Sequence, residues 1–226
     1  MLKKEIEEVL DASKANGWVL EPDAKTILKA EGLPVPRFAW AKDGPGARMK
    51  ARKIGYPVAV KVVSPRIVHK SDVGGVAIDI GCDEQLDATF SRLSLLDGFK
   101  GVLVEEMLAG DIELIVGATV DYQFGPVILL GLGGTAVEIY KDTALRLAPL
   151  ASKDVLSMVG QLKARPLLEG FRGAEPIDLG ELTRILVTFS KLVMDMEGQI
   201  ESVDLNPVIC KGSRCTIADA RIMLAK

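Results

Sequence analysis

Between residues 101 and 134 the chain passes through three strand-like stretches, GVLVEEM, DIELIVGATVD and GPVILLGLGG, joined only by LAG and YQF. A parallel pair needs a crossover of about a dozen residues or more, so joins this short allow only antiparallel neighbours. The pattern predicts an antiparallel sheet through the middle of the chain. Helical segments flank it. DAKTILKAEG starts behind Pro22 and stops at Gly32, the proline-first, glycine-last order of a helix. LPVPRFAWA reads as a short strand, and DGPGARMKARKIGY as a helix with Asp43 at its N-cap. PVAVKVV and VAIDI bracket a loop, and DEQLDATFSRLSLL carries Leu86, Phe90, Leu93 and Leu96 at helical spacing. After residue 150 the texture turns helical in SKDVLSMVGQL, PLLEGFRG and IDLGELTRILVTFSKLVMDM, and strands return in IESVDLNPVIC and CTIADARIML.

Strands interleaved with helices define an α+β body built from two-layer subdomains. The expected organisation is one domain over 1–226, with 57–105 as an inserted smaller subdomain. Residues 20–56 and 106–226 form the remainder, and 1–19 an N-terminal helix. A formal charge of −3 argues against nucleic acid or an anionic membrane as the partner. The first segment, MLKKEIEEVLDASKANG, alternates charge with Leu2, Ile6, Val9 and Leu10, which is an amphipathic helix and not a signal peptide. Cys82, Cys210 and Cys215 form no C-x-x-C pair, and with a single histidine they assemble no zinc site. Reduced thiols in a cytoplasmic protein are the expectation.

That single histidine, His69, lies in VAVKVVSPRIVHKSDVGGV. Lys61 interrupts an apolar strand there, with Ala59 and Val63 on its own face, a placement that suits a cleft holding an anion as well as a solvated edge. Gly74 and Gly75 allow a turn whose N–H groups approach an anion closely; a plain turn fits them equally. Glu105, Glu106 and Met107 end an apolar strand where the chain could present itself to a planar base. Glu113 lies between Ile112 and Leu114, where a carboxylate is costly unless it has a partner, such as ribose hydroxyls. Asp204 and Asn206 share a strand face, and Asp219 arrives on the next strand. Two oxygen ligands, completed by water and phosphate, are how Mg²⁺ is usually held. Arg146 and Arg172 sit beside small residues, where each binds an anion or is simply solvated.

In this order the pieces resemble an ATP-grasp module, a fold in which two subdomains sandwich the nucleotide. IGYPVAVKVVSPRIVHKSDVGGV, DYQFGPVILLGLGG and DLNPV are similar to the β subunits of ADP-forming acetyl-CoA synthetases, from about residue 20 onward. A looser likeness extends to the succinyl-CoA synthetase β subunit. The resemblance implies the reaction acyl-CoA + ADP + phosphate ⇌ acid + ATP + CoA, run through phosphohistidines. It gives His69 the role of passing phosphate to ADP, with Asp204 orienting it and Lys70 steadying the phosphorylated form. It implies phosphate binding by Lys61, Gly74 and Gly75, and an adenine hinge at Glu105, Glu106 and Met107. Glu113 falls to the ribose, Arg172 to the nucleotide, and Asn206 with Asp219 to Mg²⁺. ATP or ADP and Mg²⁺ are the implied cofactors.

No G-x-G-x-x-G fingerprint and no second histidine are present, so the resemblance also implies a CoA-binding α partner carrying the first phosphohistidine, in an α₂β₂ assembly. Two other functions compete: a stand-alone ATP-grasp carboxylate–amine ligase, which has no task for His69, and a non-catalytic nucleotide-binding module, which takes no phosphoryl label.

Overall fold

The computed structural model describes residues 2–134 and 142–225. The chain divides into two compact units. The larger comprises residues up to Val19, Asp23–Val35 and those from Ala109 onward; the smaller comprises Leu20–Pro22 and Pro36–Leu108.

The larger unit is built on an antiparallel sheet of order β1-β11-β9-β6-β7-β8, with β10 also paired to β9. Its strands are β1 (Trp18–Val19), β6 (Ile112–Asp121), β7 (Gly125–Leu132), β8 (Thr143–Leu147), β9 (Ile200–Lys211), β10 (Arg214–Ile217) and β11 (Arg221–Leu224). Along β6 the period-2 pattern is plain: Ile112, Leu114, Val116 and Ala118 are buried, while Glu113, Ile115, Gly117 and Thr119 lie on the opposite face. The buried face packs on the helix Leu179–Met196, whose Leu182, Ile185, Leu186, Phe189, Val193 and Met196 recur at three- and four-residue spacing and are all buried. Asp178 starts that helix by accepting the N–H groups of Gly180 at 2.7 Å and Glu181 at 3.2 Å.

The smaller unit has a four-stranded sheet, order β2-β5-β3-β4, from β2 (Phe38–Ala41), β3 (Val58–Val63), β4 (Val76–Ile80) and β5 (Gly101–Glu106). Helices α3 (Gly44–Ile54) and α4 (Asp83–Leu93) supply Ala47, Ala51, Leu86 and Leu93 to a core shared with Val58, Val60, Val62, Val102 and Val104. The N-cap at Asp43 forms as the sequence suggests, its carboxylate accepting the Gly46 N–H at 2.6 Å.

Three expectations change. The strands at 101–134 do not share one sheet: β5 pairs with β2 and β3, whereas β6 pairs with β7 and β9. A short join dictates antiparallel pairing only for strands that pair at all, and LAG lies where the chain leaves the smaller unit for the larger. The YQF join obeys the rule, with Asp121 opposite Gly125. The smaller unit is also wider than 57–105, because β2 pairs with β5 and α3 packs on the same sheet. Finally, Cys210 and Cys215 are bonded to each other, leaving Cys82 as the free thiol. No C-x-x-C spacing announces that pair; the β9–β10 hairpin makes it by setting the two residues opposite one another.

Candidate functional site

In the smaller unit, β3 is buried on both faces, so Lys61 has no solvent side to point to and is 7% exposed. An ammonium there needs carboxylates. Lys61 Nζ lies 2.7 Å from Glu21 Oε1 and 2.9 Å from Glu105 Oε2. The other Glu21 oxygen, Oε2, lies 3.0 Å from Lys70 Nζ. The result is a buried chain of four alternating charges, Lys70–Glu21–Lys61–Glu105, with a formal sum of zero.

His69 is exposed, directly before the buried Lys70. The loop that carries it closes on itself. Gly75 donates its N–H to the Lys70 carbonyl at 2.7 Å, and Gly74 donates to the Ser71 carbonyl at 3.1 Å. The reading of Gly74 and Gly75 as anion donors is therefore corrected, because both N–H groups already serve the turn. The glycines are required for geometry instead. Gly74 holds φ +63°, and a Cβ on Gly75 would lie 2.7 Å from Val62 Cγ1.

The strand-end residues also separate. Glu105 is 2% exposed and spent on Lys61, so its carboxylate is a counter-charge and does not face a base. Glu106 accepts from Arg37, whose Nε approaches Oε2 at 3.0 Å. Met107 is half-buried beyond them.

In the larger unit the candidates sit on the sheet face away from the helices. Glu113 is exposed, and the GLGG stretch folds against its backbone: Gly133 donates its N–H to the Glu113 carbonyl at 2.6 Å. A Cβ on Gly133 would meet that carbonyl oxygen at 2.8 Å, so only glycine permits the approach.

The β9 register explains the metal candidates. Ile217 lies opposite Val208, and Arg221 opposite Asp204, so the two pairings continue one register across the break at 218–220. That register sets Asp219 opposite Asn206. The break is tied down by Ala218, which donates its N–H to the Pro207 carbonyl at 2.9 Å and accepts from the buried Lys25 ammonium at 2.7 Å. A carboxylate and an amide oxygen on adjacent strands suit a hard divalent cation that keeps water and phosphate as its other ligands. Among the described residues, no three or more His, Cys, Asp or Glu side chains gather into a metal cage.

Asp204, assigned by the sequence reading to orient His69, accepts a hydrogen bond at Oδ2 from Arg221 Nη2 at 3.1 Å. Arg172 is exposed on a 3₁₀ turn with its guanidinium 5.2 Å from the centre of the Phe171 ring. Arg146 donates to Ser157 at 2.9 Å and to the Leu145 carbonyl at 2.7 Å, bracing a helix. Beside Asp204 on the same sheet face, Ile115, Gly117, Thr119, Leu129 and Leu145 line an open cavity of about 350 Å³.

Sequence reasoning missed Glu21. Pro22 marks the start of its helix, but nothing local tells a surface helix-start glutamate from the partner of two lysines about forty residues on. The usable signal was charge balance, since a lysine within VAVKVV demands a carboxylate from somewhere.

The smaller unit thus carries a lysine in a buried strand with a histidine loop beyond it, and the larger a glycine turn under Glu113 and an Asn206/Asp219 pair. The chain belongs to the ATP-grasp domain family, whose description matches residues 11–224. It is 43% identical over 230 residues to the β subunit of acetate–CoA ligase [ADP-forming] II of Pyrococcus furiosus, covering 98% of this chain and 97% of that one. It is 39% identical to the 4-hydroxybutyrate–CoA ligase [ADP-forming] of Nitrosopumilus maritimus, where it covers 98% of its own length and 33% of the relative's. The chain thus spans nearly all of one relative and a third of the other, so relatives occur as separate β chains and as longer single chains. A solved structure of the dinucleotide-forming acetyl-coenzyme A synthetase 1 of Ca. Korarchaeum cryptofilum, in complex with coenzyme A and Mg-AMPPCP, matches with a TM-score of 0.86 and 37% identity, covering 97% of this chain and 100% of that one. Among the described residues, no helix is long and apolar enough to cross a membrane.

Proposed function

We propose that the chain is the nucleotide-binding β subunit of an ADP-forming acyl-CoA synthetase, catalysing acyl-CoA + ADP + phosphate ⇌ acid + ATP + CoA. A CoA-binding α partner carries the acyl chemistry and a first phosphohistidine, in an α₂β₂ assembly in the cytoplasm. His69 receives the phosphoryl group and hands it to ADP. In that step a β-phosphate oxygen of ADP attacks the phosphorus, the P–N bond breaks, and the imidazole leaves neutral. An exposed imidazole reaches either donor or acceptor, and its neutral form is a competent nucleophile.

Phosphoryl transfer needs positioning and charge neutralisation more than covalent chemistry. Lys61 and Lys70 supply positive charge beside the loop. Met107 and the backbone around it receive adenine, Glu113 the ribose hydroxyls, and Arg172 the outer part of the nucleotide. Asn206 and Asp219 would hold Mg²⁺, which when bound neutralises the phosphate oxygens. Asp204 serves to orient the His69 imidazole.

The observation that carries the reading is the sole histidine, exposed and fixed in place through the buried residue next to it. Incubating the chain with γ-³²P-ATP and Mg²⁺ tests it. The label is expected to be acid-labile, base-stable and absent from His69→Asn, with loss of turnover of about 10³-fold or more in the assembled enzyme. A His69→Asn enzyme of full activity sinks the proposal and favours a ligase that works through an acyl phosphate alone.

A further inference from the structure

Glu21 bridges Lys61 and Lys70 with one oxygen to each, and it reaches them from outside the loop, from the start of the helix Glu21–Ala30. All four members of the charge chain are under 10% exposed: Lys61 7%, Lys70 9%, Glu21 4% and Glu105 2%. Lys70 is fixed at both ends, since its ammonium meets Glu21 and its carbonyl accepts the Gly75 N–H. Gly75 in turn accepts the N–H of Val62 at 2.8 Å, one residue past Lys61. His69 therefore projects from a peptide that the Glu21 carboxylate anchors through the Lys70 ammonium. The same carboxylate helps balance the Lys61 charge.

We infer that Glu21 is a positioning residue for phosphoryl transfer: it sets the place of His69 through Lys70 and restrains the anion affinity of Lys61. This rests on the function proposed above. The two tasks have opposite signatures. Removing the negative charge leaves the four-residue chain with a net charge of +1, which attracts a nucleotide polyphosphate more strongly, while the histidine loses its anchor. A residue that served stability alone would weaken binding and transfer together.

The test uses the full chain with two variants, reading ADP affinity by calorimetry in the presence of Mg²⁺ and the rate of ³²P transfer from ATP to His69. For Glu21→Gln, ADP binding is expected to tighten by about threefold or more while labelling slows by about tenfold or more. Glu21→Asp keeps the charge and shortens the reach by one methylene. Its ADP affinity is expected within about twofold of the parent, with labelling again slowed by about tenfold.

Normal labelling in both variants overturns the inference, and so does Glu21→Gln binding that weakens in step with labelling. Should Glu21→Gln fail to fold, Glu21→Asp decides alone, and parental labelling in it overturns the inference. An unlabelled parent chain is a different failure. It removes the phosphohistidine reading itself and the positioning role with it, while the ADP measurement still decides the charge-restraint half.

Discussion

The two units place their candidate-site charges in opposite ways. The smaller one buries four charged side chains and sets each within 3.0 Å of an opposite charge. The larger one keeps Glu113 and Asn206 exposed and Asp219 half-buried. The difference teaches what burial does to a charged side chain. Buried pairs fix geometry at the expense of stability if either partner is lost, whereas surface oxygens cost almost nothing until a cation arrives.

The sharpest way to break this contrast is Lys61→Met. It takes a buried counter-charge from both Glu21 and Glu105, so it is expected to destabilise the chain by about 3–5 kcal/mol, the usual cost of removing one member of a buried pair. Denaturant unfolding measures it, and a change below about 1 kcal/mol means that the network is not tight in solution. Nucleotide affinity should fall as well, separately visible at temperatures where the variant remains folded.

The opposite behaviour is expected of Asp219→Asn. With Asp219 half-buried, stability should change by no more than about 0.5 kcal/mol. The Mg²⁺ concentration needed for half-maximal nucleotide binding should instead rise about tenfold or more, as one of two protein oxygens loses its charge. Titrating Mg²⁺ at fixed ADP checks this. An unchanged Mg²⁺ requirement would remove Asp219 from the ion's coordination and leave Asn206 without its neighbour.

The same contrast explains how much was legible in the sequence. Asn206 and Asp219 could be paired from strand periodicity and a short turn, because sheet faces follow period two and the hairpin sets the register. Lys61 stood out for the same reason, as a charge in an apolar strand. Its partners did not, because Glu21 is brought close by tertiary folding and carries no local mark. The glycine loop was read for the right conformation but the wrong purpose, since sequence shows that Gly74 and Gly75 permit a turn and not where their N–H groups go. The split between β5 and β6 was hidden too. A three-residue join looks alike whether it closes a hairpin or carries the chain from one unit to another.

The smallest effect belongs to a charge cluster at the edge of the smaller unit, which sharpens the contrast by lying between its extremes. Asp83 accepts from Arg52 and, at 2.7 Å, from the Tyr56 hydroxyl. The hydrogen bond from Arg52, then that from Tyr56, holds the Asp83 carboxyl below the ordinary aspartate range. Burial, then the hydrogen bond to Asp83, pushes the Tyr56 phenol up. A depressed carboxyl pKa contributes stability that is present above its unfolded value and is lost as pH falls through the folded one. Asp83→Asn should therefore lower the melting temperature modestly at neutral pH, and the gap from the parent should close as the pH drops below the usual carboxylate range. Unlike Lys61→Met, it leaves no buried charge unpaired, so the loss should also shrink in high salt. Melting curves across an acid series at two ionic strengths decide it: a gap that persists at low pH means that the aspartate acts through packing and its charge is incidental.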